Sequence, residues 1–229
     1  MGNVARLSAV QRKQAIVDAV RDVFAEKGFD GTTTRELAKA AGVSEALLYK
    51  HFPSKESLYA AMLDACAKGP TFAQFKRILA LEPSTSTLVL MVYFTISHYV
   101  LQRPGDPHKA ALNCLLVRSL LEDGALVRLT HKKFASAWVT KFEACVKEAV
   151  KTGDIGVTPI RHDLRVWFVH HIAFSLMLHL HPKVPAIDYN VSRDALVEQA
   201  TWFALRGVGL AEEAIKRHYN PKALSLLGD

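Results

Sequence analysis

The amino-acid sequence predicts an all-α protein in which a small N-terminal helical domain is joined to a larger C-terminal helical bundle. Apolar residues recur at helical spacing along most of the 229 residues, glycine and proline stand at the joints, and no alternating strand pattern occurs. Half of the residues are hydrophobic, which is enough to build a core. Because the helical segments lengthen beyond residue 69, we predict domains at residues 1–68 and 69–229.

The N-terminal domain is predicted to begin with a helix over residues 9–27. Ser8 stands where an N-cap is expected, and Gly28 follows the last apolar turn as a C-terminal stop. Further helices are predicted over residues 34–41, 45–51, 55–68, 88–102, 109–121, 133–152, 162–181 and 192–207.

Residues 34–52 have the pattern of a helix-turn-helix motif. Ala38 is the small residue required where two short helices cross, Gly42 opens the turn, and Leu48 anchors the second helix on the first. Both helix starts carry hydroxyl caps, Thr33 and Ser44. Hydroxyls and free N–H groups at helix N-termini also bind DNA phosphates, so this motif is a candidate DNA-binding element. The alternative is two ordinary short helices of an all-α protein.

The sequence around the motif favours the DNA-binding interpretation. In unbroken register it contains FAEKGF at 24–29, GTTT at 31–34, LAKAAGVS at 37–44, LYKHF at 48–52 and SKESL at 54–58. This block closely resembles the N-terminal domain of the TetR family of transcriptional regulators. The resemblance implies binding to double-stranded operator DNA of palindromic or near-palindromic sequence. It also implies that the helical remainder is a ligand-binding and dimerisation domain.

The resemblance further implies roles for individual residues. Thr34, Tyr49 and Lys55 match positions that bind phosphates, and Ser44 stands at the helix N-terminus beside them. The positions that face base edges or the nearby backbone are matched by Arg35, Glu45, Ala46, Leu47, Lys50 and His51.

The chemistry of four of these residues suits base recognition. The Arg35 guanidinium fits the acceptors of guanine, the Glu45 carboxylate fits the cytosine amino group, and Ala46 and Leu47 fit thymine methyl groups. The sequence departs from the family at Ala46 and Leu47, where a small residue followed by Thr or Ser is common. The operator sequence is therefore not predictable.

The predicted helix over 162–181 is apolar on nearly all sides, which predicts burial on all sides. A peripheral helix of one 229-residue chain is seldom covered so fully, so we predict a homodimer interface here, with burial inside one subunit as the alternative. A two-fold dimer sets two recognition helices about 34–36 Å apart. The predicted interface residues are Phe134, Trp138, Phe142, Trp167, His171, Phe174 and Leu178.

An apolar small-molecule effector is expected in the C-terminal domain, where Phe72, Tyr93 and Phe94 are candidate pocket residues and ordinary core packing is the alternative. The histidines between 162 and 181 lack the spacing of a metal site, and the three cysteines form no metal or disulfide pattern. No cofactor or metal is expected. Because the sequence contains no nucleophile–base pair, paired carboxylates or glycine-rich phosphate loop, no enzyme activity is expected either.

The net charge of +7 favours a polyanionic partner only weakly, since residues 1–68 carry just +2 of it. The sequence has neither an apolar leader nor a membrane-spanning run, so a cytoplasmic location is expected. Together these patterns predict a ligand-responsive repressor that leaves its operator when an apolar molecule binds. The alternative is a helical small-molecule-binding protein, or a dimeric adaptor, without a role in DNA regulation.

Overall fold

The structure, a computed structural model, describes residues 8–66, 70–101, 107–122, 124–182 and 184–225. Within those ranges it contains helices, one isolated antiparallel bridge between Ile155 and Leu210, and no β-strand, which confirms the predicted all-α class. The helices are α1 (Ala9–Lys27), α2 (Thr34–Ala40), α3 (Glu45–His51), α4 (Lys55–Cys66), α5 (Pro70–Ala80), α6 (Thr85–Val100), α7 (Pro107–Leu121), α8 (Ala125–Thr130), α9 (Ser136–Lys151), α10 (His162–Leu180), α11 (Arg193–Val208), α12 (Glu212–His218) and α13 (Pro221–Ser225). A π-helical segment, His131–Ala135, joins α8 to α9.

The chain divides into two compact units, and the first combines residues 1–72 with residues 105–133. Helices α1 to α4 supply most of its core, and α7 packs against α1. Leu115 of α7 and Leu126 of α8 are buried in the same cluster as Val20 and Phe24 of α1. The predicted boundary near residue 69 does not anticipate this returning segment, because nothing local in residues 105–133 indicates which unit they join.

The second unit contains residues 73–104 and 134–229 and is built around α6. Leu88, Val89, Met91, Val92 and Ile96 have no exposed surface. A helix that is apolar on every side must be covered on every side, and α9, α10, α11 and α12 all pack against α6.

A buried carboxylate ties three helical ends of the second unit together. Asp154, which follows α9, is 7% exposed and accepts hydrogen bonds from Thr85 Oγ1 at 2.6 Å and Thr152 Oγ1 at 3.0 Å. The Arg217 guanidinium of α12 also donates to it, at 2.7 Å. No sequence pattern indicates this cluster, because Thr85 and Arg217 lie more than 60 residues from Asp154 along the chain.

We expect an Asp154→Ala variant to lower the free energy of unfolding by about 1–3 kcal/mol, mainly because the buried Thr85 hydroxyl loses its acceptor; the Arg217 side chain is 62% exposed, so the loss of its ion pair adds little. Urea denaturation followed by circular dichroism measures the loss. Glu198→Ala, at an exposed position of α11, is the matched control and should change stability by less than about 0.5 kcal/mol. Equal stability of the two variants would mean that the cluster does not stabilise the second unit.

Candidate nucleic-acid interface

Helices α2 and α3 form the predicted helix-turn-helix, and the structure confirms its local signals. Gly42 has a φ of +63°, which only glycine adopts without strain in such a turn. Ala38 and Leu48 are 3% and 2% exposed and join the two helices through the core of the first unit. The Ser44 hydroxyl accepts a hydrogen bond from the Leu47 N–H at 3.2 Å, and Thr33 caps α2 as predicted, in a capping box with Glu36.

Most of the residues predicted to read bases are on the surface. Around the single buried residue Leu48, α3 exposes a continuous face, with Leu47 and His51 half-buried at its edge. The exposed predicted residues of α2, the turn and α3 are Arg35, Ser44, Glu45, Ala46, Tyr49 and Lys50.

The three residues predicted to bind phosphates lie around one small hollow between α2, α3 and α4. Thr34, Tyr49 and Lys55 all line it. The Tyr49 hydroxyl is 3.1 Å from Thr34 Oγ1, so one of these hydroxyls donates to the other. The remaining O–H of such a pair is able to donate to a phosphate oxygen, and Tyr49 is 47% exposed.

The Lys55 side chain has a further set of contacts that the sequence did not indicate. Its ammonium group donates to the carbonyl oxygens of Phe29, at 2.6 Å, and Thr32, at 3.1 Å. It also lies 4.3 Å from the centre of the Phe29 ring, at cation–π distance. Lys55 therefore binds the loop between α1 and α2.

An ion pair connects the end of α1 to the start of α2. Lys27 Nζ lies 2.5 Å from a Glu36 carboxylate oxygen, and the other oxygen accepts from the Thr33 N–H at 2.9 Å and the Thr33 hydroxyl. The hydrogen bond from Lys27, followed by those from Thr33, lowers the pKa of Glu36 to about 2.

Because the pKa of Glu36 is lowered by folding, the carboxylate stabilises the fold above its unfolded pKa of about 4.3, and that stabilisation is lost as the pH falls towards 2. We expect the parent protein to melt at a higher temperature than Glu36→Gln at pH 5, and the gap to close as the pH approaches 2. Thermal melts across this range measure the gap, with Glu198→Gln as an exposed control. A gap that does not depend on pH would contradict the assignment.

The residues predicted to form a dimer interface fall into two groups. Phe142 is 1% exposed and lies in the core of its own chain, so it offers no surface to a second chain. Trp138 is half-buried, with its ring 5.0 Å from that of Phe75 and 5.6 Å from that of Phe94, and Phe134 is half-buried as well. The other four lie on α10: Trp167 and Phe174, which are half-buried, and His171 and Leu178, which are exposed.

One side of α10 packs in the second unit, while the opposite side carries an exposed stripe. The stripe consists of Leu164, Phe168, His171, Ser175 and Leu178. Phe168 is 49% exposed, a high value for a phenylalanine in a helix interior. On α11, which packs against α10, Phe203 is 68% exposed. An all-round apolar pattern does not reveal which side of α10 the chain itself covers, so the sequence alone could not separate the exposed stripe from the buried side.

The candidate pocket residues lie at different places. Tyr93 is 8% exposed in the core of the second unit, with its ring 6.5 Å from that of Tyr219. Phe94 and Phe72 are half-buried. A hollow of about 380 Å³ in the second unit contains none of the three; it is lined by Pro83, Ala144, Lys147, Glu148, Val150, Lys151 and His162.

The structure brings one Ser–His–Asp set together, which the sequence did not indicate. His218 Nδ1 lies 3.0 Å from Ser86 Oγ, and its Nε2 lies 3.6 Å from an Asp154 oxygen. The second distance exceeds a hydrogen bond, and Asp154 already accepts from Thr85 and Arg217. This geometry suits a structural cluster rather than a nucleophile and base.

Two wider searches were confined to the part of the chain that the structure describes. There, no three His, Cys, Asp or Glu side chains are grouped closely enough to hold a metal ion. Over the same residues, every helix is too short or too polar to cross a lipid bilayer.

Part of the first unit matches a known family. Residues 16–62 match the family described as bacterial regulatory proteins, tetR family. The nucleoid occlusion factor SlmA of Marinobacter nauticus is 28% identical over 146 residues, which cover 63% of this chain and 69% of that protein. IcaR of Staphylococcus aureus, an HTH-type negative transcriptional regulator of the biofilm operon icaADBC, is 43% identical over 54 residues, 24% of this chain and 29% of its own length.

Most of the chain shares its fold with solved structures. The transcriptional regulator FadR of Bacillus subtilis, solved in complex with stearoyl-CoA, superposes with a TM-score of 0.59. The match covers 85% of this chain and 98% of FadR at 19% sequence identity, which establishes a common fold. The sequence match to the tetR family of bacterial regulatory proteins therefore lies in residues 16–62, which include the helix-turn-helix.

Proposed function

We propose that the protein is a homodimeric, sequence-specific regulator of transcription, which binds a palindromic or near-palindromic operator through α3. The observation that carries this proposal is the meeting of the Thr34 and Tyr49 hydroxyls, 3.1 Å apart, beside Lys55 and next to the exposed face of α3. Two hydroxyls held together at the edge of an exposed helix face suit a backbone phosphate. A phosphate bound by this hydroxyl pair would position α3 in the major groove.

The start of α2 and the exposed face of α3 supply groups that distinguish bases. Arg35 is able to donate to O6 and N7 of guanine, and Glu45 to accept from N4 of cytosine. Ala46 and Leu47 present methyl groups, which suit the thymine methyl, while Lys50 and His51 reach towards base edges or the nearby backbone.

The exposed stripe on α10 supports association with a second copy. Its members, Leu164, Phe168, His171, Ser175 and Leu178, alternate steps of four and three residues, which is the spacing of a seam between two packed helices. Apolar side chains exposed at that spacing are stabilised when a partner covers them. A two-fold pair of chains spaces two α3 helices for successive turns of DNA, about 34–36 Å apart.

The second unit is the proposed site of an apolar effector, and the cytoplasm the proposed location. FadR, which shares the fold, is described with bound stearoyl-CoA. In this chain, a bound effector would favour a spacing of the α3 helices that no longer fits the operator, so that the protein acts as a repressor released by its ligand. Such a ligand shifts the equilibrium only by its difference in affinity for the two arrangements.

An electrophoretic shift experiment with fragmented genomic DNA tests the proposal. We expect a small set of fragments to shift at protein concentrations of about 10⁻⁸ M, and the shift to weaken steeply as salt is raised. A helical small-molecule carrier or a dimeric adaptor would shift no fragment selectively. Titrating apolar ligands into the shifted complex tests the proposed effector. If operator affinity stays unchanged with every ligand that the protein binds, release of the repressor by a ligand is contradicted.

A further inference from the structure

The loop between α1 and α2, residues 28–33, is folded tightly against α4. The Thr32 hydroxyl, which is buried, donates to the Gly28 carbonyl at 2.6 Å. The Phe29 ring lies 5.1 Å from that of Tyr59 of α4 and 6.1 Å from that of Phe24 of α1. The Lys55 ammonium of α4 forms hydrogen bonds with this loop, by donating to the carbonyl oxygens of Phe29 and Thr32.

Two of the three Lys55 N–H donors are used inside the protein. The bond to the Phe29 carbonyl, at 2.6 Å, is short for an ammonium donor, and the ring of the same residue covers the charge from 4.3 Å. To bind a phosphate with more than its one remaining N–H, the ammonium would have to turn away from these carbonyls and leave them without their donor. The contacts therefore indicate a structural use for the charge.

We propose that Lys55 is a positioning residue for DNA binding: it holds the loop that places the Thr34 hydroxyl beside the Tyr49 hydroxyl. This inference rests on the proposed function. It differs from the role implied by the family resemblance, in which Lys55 itself binds a phosphate.

The path from Lys55 to the phosphate site is short. Lys55 binds the carbonyl of Thr32; the next residue, Thr33, caps α2, and Thr34 is the first residue of that helix. Without the ammonium, the loop that precedes α2 loses its hydrogen bonds to α4. The Thr34 Oγ1–Tyr49 hydroxyl distance of 3.1 Å is then no longer fixed, and the hydroxyl pair no longer meets a phosphate together.

The salt dependence of operator binding separates the two roles of Lys55. Each phosphate bound by a cation contributes about −0.9 to the slope of log K against log salt, so a lost Lys55–phosphate contact in both subunits changes the slope by about 1.8. For Lys55→Met we expect operator affinity to fall roughly 10- to 100-fold with an unchanged slope. Lys147→Met, an exposed lysine of α9, controls for the altered net charge.

A double-mutant cycle with Thr34→Val adds a second readout. Thr34 is not the cap of α2, so this change removes the hydroxyl and keeps the helix start. If Lys55 acts by placing Thr34, then Thr34→Val should weaken binding in the parent protein but have little further effect in Lys55→Met. Additive effects on log K, or a slope that falls by about 1.8, would overturn the proposal.

The control variants distinguish a failure of the positioning role of Lys55 from a failure of the proposed DNA-binding function. Thermal melts establish that Lys55→Met is folded at the binding temperature, and Lys55→Arg, which keeps donors for the two carbonyls, should restore part of the affinity. If Lys55→Met binds as tightly as the parent while Thr34→Val does not, the positioning role fails and DNA binding stands. If neither change affects binding, the proposed function fails as well.

Discussion

A Phe168→Asp variant is expected to elute as a monomer and to lose operator affinity by roughly 10²–10⁴-fold. Phe168 lies in the middle of the exposed stripe on α10 and is 49% exposed in the single chain. A carboxylate at that place would have to lose its water against an apolar partner surface, which is costly without a counter-charge. Once the subunits separate, each binds a half-site alone, and the gain from joining two binding modules is lost.

Light scattering coupled to size exclusion gives the mass of the variant, and fluorescence anisotropy with a labelled operator gives its affinity. Val157→Asp is the matched control, because Val157 is fully exposed in the connection before α10 and outside the stripe. A Phe168→Asp protein that remains a dimer would show that another surface joins the subunits. A monomeric variant that keeps the parent affinity would show that the operator is read by single chains.

A Tyr49→Phe variant is expected to lose operator affinity by roughly 10²–10⁴-fold while melting at the parent temperature. The change removes only the hydroxyl, and Tyr49 is 47% exposed, so the fold does not depend on it. A hydrogen bond to a charged acceptor contributes about 1.5–3 kcal/mol, and a dimer loses two of them. At about 1.4 kcal/mol for each factor of ten, this gives the expected range.

The salt slope of Tyr49→Phe should equal that of the parent protein, since a neutral hydroxyl releases no counterions. Anisotropy titrations at several salt concentrations measure both quantities. Tyr189→Phe, in the connection between α10 and α11, makes the same chemical change away from α3 and should bind as the parent does. Parent-like affinity in Tyr49→Phe would mean that the hydroxyl pair does not touch DNA.

The parts of the fold set by local chemistry were predictable from the sequence. Helix α1 has the predicted bounds and is capped by Ser8, because capping and apolar spacing are signals of neighbouring residues. The helix-turn-helix was equally predictable from the sequence. Thr33, Gly42 and Ser44 each cap a helix or form the turn through contacts with residues three or four positions away. Because these signals are local, the exposed residues of α3 could also be predicted individually.

Features that depend on distant residues were not predictable. The sequence predicts no helix between residues 68 and 88, whereas α5 begins there at Pro70; proline suits the first turn of a helix. Phe142 has the same helical spacing as a surface aromatic residue, and only the packing of α9 on α6 puts it in the core. The Lys55 contacts join residues 23 and 26 positions apart, through backbone carbonyls that carry no sequence signature.

Selection of bound duplexes from a random DNA pool tests the central claim most directly. If α3 of each subunit reads DNA as proposed, the parent protein should enrich a palindromic or near-palindromic sequence, with half-site centres about 10 base pairs, or a multiple, apart. Tyr49→Ala protein should enrich it weakly or not at all. A pool that stays random with the parent protein, or the same enrichment with Tyr49→Ala, would contradict the account.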